Sequence, residues 1–215
     1  MKPQNRLPTL TGWSLFGAIA VAILAMVGLI LCANADWTEA LRSAIRATAR
    51  TSFALFLLAF TASAFVALVP SPVTKALLRE RRYIGLAFAF SHLVHAIAIY
   101  AYGQLAPEFW PSRTGLANVP GSIGYAFIVL MAATSFDGAV RRLGPRAWKR
   151  LHTTGMWVIA AIFAYSYFKR IPMSPAYAVP FAILLSAVAI RWVGKLAQAN
   201  KRAARGHSLQ RADSA

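Results

Sequence analysis

Carboxylates and cysteine are the scarcest chemically useful residues in this 215-residue sequence. It has 6 Asp and Glu in all, against 23 Lys and Arg, and a single cysteine, Cys32. One cysteine excludes an intrachain disulfide, a thiolate zinc cluster and a haem attached through a CxxCH motif. The sequence also lacks a Gly-rich phosphate loop and a flavin- or nicotinamide-binding fingerprint, so nucleotide chemistry on this chain is not indicated.

Charge of either sign is low as well. Only 13% of the residues are charged, 58% are hydrophobic, and the mean hydropathy is +0.53. Soluble domains are about 25% charged and about 45–50% apolar. A net charge of +17 would suit a nucleic-acid-binding domain or a disordered basic tail, but both are far more polar than this chain. The composition therefore predicts an integral membrane protein that does not bind nucleic acid.

Six apolar runs are long enough to cross a bilayer as helices. They cover residues 13–33, 51–69, 83–102, 122–140, 151–168 and 177–193. We therefore expect an all-α integral membrane protein, a bundle of six transmembrane helices over residues 1–200, followed by a basic tail at 201–215. One acidic residue lies within a run, Asp137, and an ion pair with Arg141 four residues on would account for it.

The basic residues are distributed unequally between the two sides of this bundle. Seventeen of the 23 fall on the side that holds both termini, and six fall on the other. Cytoplasmic loops carry the excess of Lys and Arg, so both termini are predicted to be cytoplasmic, in the bacterial inner membrane. The basic loops are also expected to attract anionic lipid or an acidic soluble partner. The larger set is Lys2, Arg6, Lys75, Arg79, Arg81, Arg82, Arg141, Arg142, Arg146, Lys149, Arg150, Arg191, Lys195, Lys201, Arg202, Arg205 and Arg211; the smaller is Arg42, Arg46, Arg50, Arg113, Lys169 and Arg170.

The first apolar run has some features of a signal peptide. Lys2 and Arg6 precede it, and Ala33-Asn34-Ala35 resembles a small-residue cleavage site. Because the run is longer than a typical signal core, we expect a retained helix.

Three of the four histidines lie at predicted spans, where ionisable side chains are costly and commonly functional. His92 and His95 are three residues apart and share a face of the third span, with Gly85 on much the same face. His152 begins the fifth span, and Gly155 lies one turn beyond it. Imidazole is a common axial ligand of haem iron, and small residues make room for a flat macrocycle. Interhelical hydrogen bonds, worth about 0.6–2 kcal/mol each, are the competing explanation.

Two segments carry a resemblance to a known family. The third span begins Arg81-Arg82-Tyr83-Ile84-Gly85-Leu86 and reaches His95; later come Thr134-Ser135, Arg141-Arg142-Leu143-Gly144, Trp148 and Leu151-His152. This order resembles the ferric-reductase-like transmembrane domain family over about residues 50–168. It is most similar to the small bacterial branch, the haem-binding membrane subunits of the periplasmic methionine-sulfoxide reductase system.

The resemblance implies a six-helix bundle that holds one or two b-type haems. His95 and His152 correspond to the family's axial ligands on the third and fifth helices, and His92 is an additional candidate. It also implies a membrane subunit of an oxidoreductase, with a cytoplasmic flavin- or nicotinamide-dependent donor and a periplasmic molybdenum-containing reductase as acceptor. FMN at the membrane face or on a partner is a further expectation, because this chain has no flavin domain of its own.

One position departs from the family pattern. The small branch usually has a second histidine in the fifth helix thirteen residues after the first, and here that position is Tyr165. Tyr165 would lie about 21 Å into the span, near the depth of His95, whereas His152 lies near its start. Three arrangements remain open: ligation by Tyr165, pairing of His92 with His152 in tilted helices, or a five-coordinate haem. A membrane scaffold with incomplete or no haem ligation is the alternative function, and a small-solute transporter is a third.

Overall fold

The described part of the chain folds into seven α-helices and contains no strand. The structure, a computed structural model, describes residues 10–112 and 115–213, apart from the side chains of 116, 117, 202 and 204–213. Lys2, Arg6 and Arg113 therefore lie outside the described residues. The helices are α1 (Trp13–Ala33), α2 (Trp37–Leu68), α3 (Pro72–Leu105), α4 (Gly115–Ala133), α5 (Asp137–Leu143), α6 (Pro145–Phe168) and α7 (Ala178–Asp213), with a 3₁₀ turn (Pro175–Tyr177) before α7. The expected all-helical fold is confirmed.

Four segments of the described chain are long and apolar enough to cross a membrane. They are Trp13–Ala33, Trp37–Leu68, Pro72–Leu105 and Pro175–Lys201, and a bent pair formed by Asn118–Ala133 and Asp137–Leu143 would make a fifth. Helix α6 does not join this set, because its polar His152, Thr153 and Thr154 and its basic first turns lower its hydropathy. A multi-pass membrane protein is therefore supported, and the count of six spans stays a prediction.

The fourth predicted span, 122–140, is wrong as one continuous helix. Helix α4 ends at Ala133, and α5 leaves at 103° to it. The hydroxyl groups of Thr134 and Ser135 turn back to donate to the carbonyls of Leu130 and Met131, at 2.6 Å each. Such local side-chain bonds compete with helix propagation, so the chain can turn here.

The predicted ion pair between Asp137 and Arg141 is also wrong. Asp137 begins α5, and its carboxylate accepts instead from Arg82 of α3, at 3.0 Å. The break before α5 moves Asp137 out of α4 and brings it to the first turns of α3. The pair therefore ties the bend to α3, although Asp137 itself is largely exposed.

Helix α2 is the centre of the bundle, packed by α1, α3 and α7. Its Phe56 and Phe60 are completely buried and stack on each other with ring centroids 5.1 Å apart. Helix α6 packs instead on α4, α5 and α7. Within the described residues α3 and α6, the two helices that carry the candidate histidines, do not pack closely along their lengths. Aromatic side chains occupy the space between them.

The helix that carries His92 and His95 has a well-defined start. Ser71 caps α3 by accepting from the Thr74 amide at 3.2 Å, and the Thr74 hydroxyl accepts in return from the Ser71 amide at 2.9 Å. Pro72 follows at the first helical position, where its missing N–H costs nothing. This reciprocal cap fixes the register of α3 from its first turn.

Candidate functional site

His95 lies against α2, where two oxygen atoms surround one of its ring nitrogens. Its Nδ1 is 3.0 Å from the hydroxyl of Thr48 and 3.1 Å from the carbonyl of Ile45. The Thr48 hydroxyl already donates to the Ala44 carbonyl at 2.7 Å, so both oxygens act as acceptors toward Nδ1. The proton of His95 is therefore assigned to Nδ1, and Nε2 keeps a free lone pair. Metal-ligating histidines commonly have this arrangement, because the second hydrogen bond fixes tautomer and ring orientation.

His92 lies one turn earlier on α3, among aromatic rings. Its ring is 4.7 Å from Phe88, 5.8 Å from Tyr125 and 6.0 Å from Phe163. Its Nδ1 is buried and has no hydrogen-bond partner in the described residues. An unpaired buried polar atom is unusual in a folded protein, so the Nδ1 of His92 is a candidate to bond to a ligand.

His152 lies in a different environment at the start of α6. Its Nε2 is 3.1 Å from the hydroxyl of Thr134, and its ring stacks on Trp148 at 4.2 Å. Because the Thr134 hydroxyl donates to the Leu130 carbonyl, His152 donates to Thr134 through Nε2. To bind a metal through Nε2, His152 would first have to release Thr134.

The structure brings His92 and His95 together but leaves His152 at another level. The rings of His92 and His95 are 5.8 Å apart. The residue of α6 that faces His92 is Phe163, eleven residues after His152 and so about 17 Å further along the helix axis. His92 and His152 are therefore apart in this structure; their pairing was one of the three arrangements that the sequence left open.

Tyr165 does not face the histidine pair. Its side chain is 53% exposed, and the ammonium group of Lys169 lies 4.8 Å from its ring. Ligation by Tyr165 would require it to turn inward. Of the α6 side chains, Phe163 occupies the position beside His92.

The two glycines near the histidines differ in the space around them. A Cβ on Gly155 would lie 2.6 Å from the sulfur of Met131 and 3.1 Å from Phe127, so Gly155 allows α4 and α6 to approach closely. A Cβ on Gly85 would meet nothing within 4 Å. Gly155 therefore serves helix packing, and the expected room for a macrocycle is found only beside Gly85.

The donor set fits a haem in part. His95 offers Nε2 with its ring fixed through Nδ1, His92 has an orphaned Nδ1, and the ring of Phe163 of α6 lies 6.0 Å from that of His92. Within the described residues no group of three or more His, Cys, Asp or Glu gathers into a metal cluster. His95 is therefore the residue that could hold a haem, with Thr48 and the Ile45 carbonyl fixing its ring.

Two features of the site were not foreseen from the sequence. Thr48 sits in a stretch that was expected to precede the second span, and α2 in fact begins at Trp37. Arg191 was counted with the cytoplasmic tail, yet it is only 8% exposed and contacts Phe60 and Trp157. Its position inside the sixth apolar run, 177–193, was the available signal.

Comparison with known proteins identifies the family of this chain. The family described as "Ferric reductase like transmembrane component" matches residues 47–163, more than half of the chain, and the match includes His92, His95 and His152. The chain belongs to this family. The resemblance noted in the sequence is thereby confirmed. Tyr165 lies two residues beyond the matched segment, and Arg191 lies well beyond it.

Two relatives extend this comparison. The chain is 28% identical over 99 residues to the protein-methionine-sulfoxide reductase heme-binding subunit MsrQ of Polaromonas naphthalenivorans, an alignment that covers 44% of each chain. It is 30% identical over 97 residues to the magnetosome protein MamZ of Paramagnetospirillum magneticum, covering 43% of this chain and 15% of MamZ. The chain thus spans less than half the length of either relative. No solved structure matches it.

Proposed function

We propose that this ferric-reductase-like protein binds haem b and passes electrons across the inner membrane. The donor would be a cytoplasmic flavin- or nicotinamide-dependent protein, and the acceptor would be periplasmic or extracellular. The observation that carries the proposal is His95, whose Nδ1 is bonded to two oxygens of α2 while its Nε2 is free. A bound haem would supply a one-electron carrier inside the bilayer.

The residues around His95 have distinct roles in this proposal. His95 would hold the iron, while Thr48 and the Ile45 carbonyl keep its ring oriented and its Nδ1 protonated. His92 lies beside it with an unpaired Nδ1 that can donate to, or accept from, a polar group of the ligand. The rings of Phe88 and Phe163 lie against His92 and would limit the access of water to a group bound there.

His152 would belong to a second site. One iron could be held by two histidines only if their ring nitrogens came within about 4 Å of each other, twice a metal–nitrogen bond of about 2 Å. His152 and the His92/His95 pair are separated by about 17 Å along the bundle, so one haem does not join them. Two haems at two depths, with the one at His152 nearer the cytoplasm, would shorten each electron-transfer step across the membrane.

The partners are proposed from the relatives. MsrQ is named as a heme-binding subunit of a protein-methionine-sulfoxide reductase, which presupposes a separate reductase. We propose a periplasmic molybdenum-containing reductase as the partner of this chain, with FMN either at the cytoplasmic face or on the donor. Anionic lipid would lie against the basic cytoplasmic loops.

The decisive experiment is a reduced-minus-oxidised absorption spectrum of the detergent-purified protein with haem quantified per chain. We expect a Soret band that is removed or strongly reduced by His95→Ala. The matched control is His207→Ala, a histidine in the basic tail. His152→Ala should remove a second haem if two are present and leave the count unchanged if one is. Absence of haem from protein expressed with haem supplied would refute the proposal.

A scaffold without haem is the second candidate, and one observation favours it. The Nε2 of His152 is hydrogen-bonded to the Thr134 hydroxyl, and its ring stacks on Trp148, so this candidate ligand already has other partners. A protein with no Soret band that still co-purifies with a periplasmic reductase would support the scaffold.

A further inference from the structure

Arg191 is a cation buried in the middle of the helix bundle. It lies on α7 and is 8% exposed, and its guanidinium donates to the carbonyl of Phe60 on α2. The guanidinium carbon lies 4.5 Å from the ring of Phe60 and 5.6 Å from that of Trp157. Phe60 is eight residues before the end of α2, so Arg191 lies about 12 Å inside that end of the bundle.

The contacts of Arg191 leave part of its guanidinium unsatisfied. Its Nε is buried and has no hydrogen-bond partner in the described residues. A carbonyl oxygen and two ring faces offer partial negative charge, but none offers a full counter-charge. A buried cation without an anion is costly in a low-dielectric environment.

A second arginine makes the imbalance larger. Helices α2 and α3 run antiparallel, with Thr48 against His95 and Ser52 against Ser91. In this register Arg81 of α3 lies level with Ala62, only two residues or about 3 Å from Phe60, whose carbonyl accepts from Arg191. The next residue, Arg82, bonds to Asp137, three residues after the Thr134 that bonds to His152, so Arg81 also lies at the level of the start of α6.

In the described part of the chain the Arg81 side chain makes no hydrogen bond and no ion pair. The ion pairs formed there use Glu39, Glu80 and Asp137, with Arg42, Arg79 and Arg82 as their partners. No carboxylate therefore reaches the Arg81–Arg191 pair.

We propose that Arg81 and Arg191 form an intramembrane site for the anionic group of an amphipathic ligand. The group is a carboxylate or a phosphate, because planar guanidinium forks bind these oxyanions with two parallel hydrogen bonds. Two sources share this chemistry: a carboxylate substituent of a haem held near His152, and the phosphate of an anionic phospholipid. The first source rests on the proposed function, and the second does not.

The lipid source is tested by native mass spectrometry of the full chain in detergent, with phosphatidylglycerol or diacylglycerol added. We expect phosphatidylglycerol adducts that survive on the wild type and bind about tenfold more weakly to Arg81→Gln, with little diacylglycerol bound by either. The haem source is tested by Soret titration with free haem and with its dimethyl ester, whose carboxylates are blocked. We expect wild type to prefer the free acid about tenfold and Arg81→Gln to lose that preference.

Arg81→Gln is the main variant because the Arg81 side chain forms no hydrogen bond or ion pair with a described residue, and glutamine removes the charge while it keeps part of the aliphatic stem. Arg191→Lys is the second, since it keeps the charge but removes Nε and the fork. Lys195→Gln is the matched control: this exposed cation lies one turn after Arg191 and also faces Trp157, at 5.7 Å. A loss in either assay for Arg81→Gln and Arg191→Lys, but not for Lys195→Gln, supports the site and identifies its source. Unchanged binding in both assays overturns it. If the wild type holds no haem, the lipid assay alone decides, so the two proposals fail separately.

Discussion

At the scale of single residues, the histidine on α3 depends on a hydroxyl on α2. Replacing Thr48 by valine keeps the size of the side chain but removes the hydroxyl that accepts from His95 Nδ1. The Ile45 carbonyl remains, so we expect haem to be retained but to bind about tenfold more weakly, at the low end for loss of a partner of a metal-ligating histidine. The measurement is haem affinity by Soret titration together with the midpoint potential. Thr48→Ser is the control and should behave as wild type; equal loss in Thr48→Ser would mean that the hydroxyl is not what orients His95.

A second residue-scale prediction concerns the buried serine pair next to Thr48. Ser52 of α2 donates to the Ser91 hydroxyl at 2.8 Å, and Ser91 donates on to the Thr48 carbonyl at 3.3 Å. Ser91→Ala leaves the Ser52 hydroxyl without its acceptor, and we expect a loss of about 1 kcal/mol in stability. Thermal unfolding in detergent measures it. Ser122→Ala is the control, because Ser122 is exposed and bonds only within its own helix. The idea fails if the two variants melt alike.

At this scale the sequence identified the candidate histidine ligands but not the residues that bond to them. His92, His95 and His152 stand out because an ionisable group in an apolar run is costly. Thr48 does not stand out, because a threonine in a helix is ordinary until another helix brings a histidine to it. The same holds for Arg191, whose burial depends on Phe60 and Trp157 from two other helices.

At the scale of helices, α2 and α7 approach each other closely at Gly194. A Cβ there would lie 2.8 Å from the Cα of Ala64, a backbone atom that cannot move aside. We expect Gly194→Ala to destabilise the protein by about 1–3 kcal/mol, despite the better helix propensity of alanine. Thermal unfolding tests this, with Gly28→Ala of α1 as control, since a Cβ there meets nothing within 4 Å. A Gly194→Ala variant that is as stable as Gly28→Ala would contradict the close approach.

Helix boundaries could be predicted only in part. Apolar runs located α1 and the central parts of α2, α3, α6 and α7, because hydropathy averages over many residues. They missed the break at Thr134, since two side-chain bonds to Leu130 and Met131 end α4 inside an apolar run. They also missed the extension of α2 back to Trp37, where Asp36 caps the helix by accepting from the Thr38 amide at 2.8 Å. Local hydrogen bonds decide these ends, and composition does not report them.

At the scale of the whole molecule, the distribution of basic residues predicts which connections face the cytoplasm. Seventeen of 23 lysines and arginines lie on one side if α4 with α5 and α6 each cross the membrane. The structure alone does not decide whether α4 with α5 and α6 each cross the membrane, because α5 bends by 103° from α4 and α6 is less apolar than the other long helices. A re-entrant α4–α5 would place the start of α6, and therefore His152, on the outer side.

The single cysteine makes this topology testable by thiol labelling. In a Cys32→Ser background, one cysteine at a time would replace Val73, Ser112, Ala147 or Met173, which are all exposed. Ser112 and Met173 lie in connections, and Val73 and Ala147 lie in the first turns of α3 and α6, directly after the other two connections. We expect a membrane-impermeant maleimide to label the cysteines at 112 and 173 in intact spheroplasts, and those at 73 and 147 only after permeabilisation. None of these changes alters a basic residue, so the charge bias that sets the orientation is preserved. Labelling of the cysteine at 147 from outside would mean that α4 and α5 form a re-entrant loop and return to the periplasmic side. His152 would then lie at the periplasmic face, and the second haem proposed there could not receive electrons from the cytoplasm.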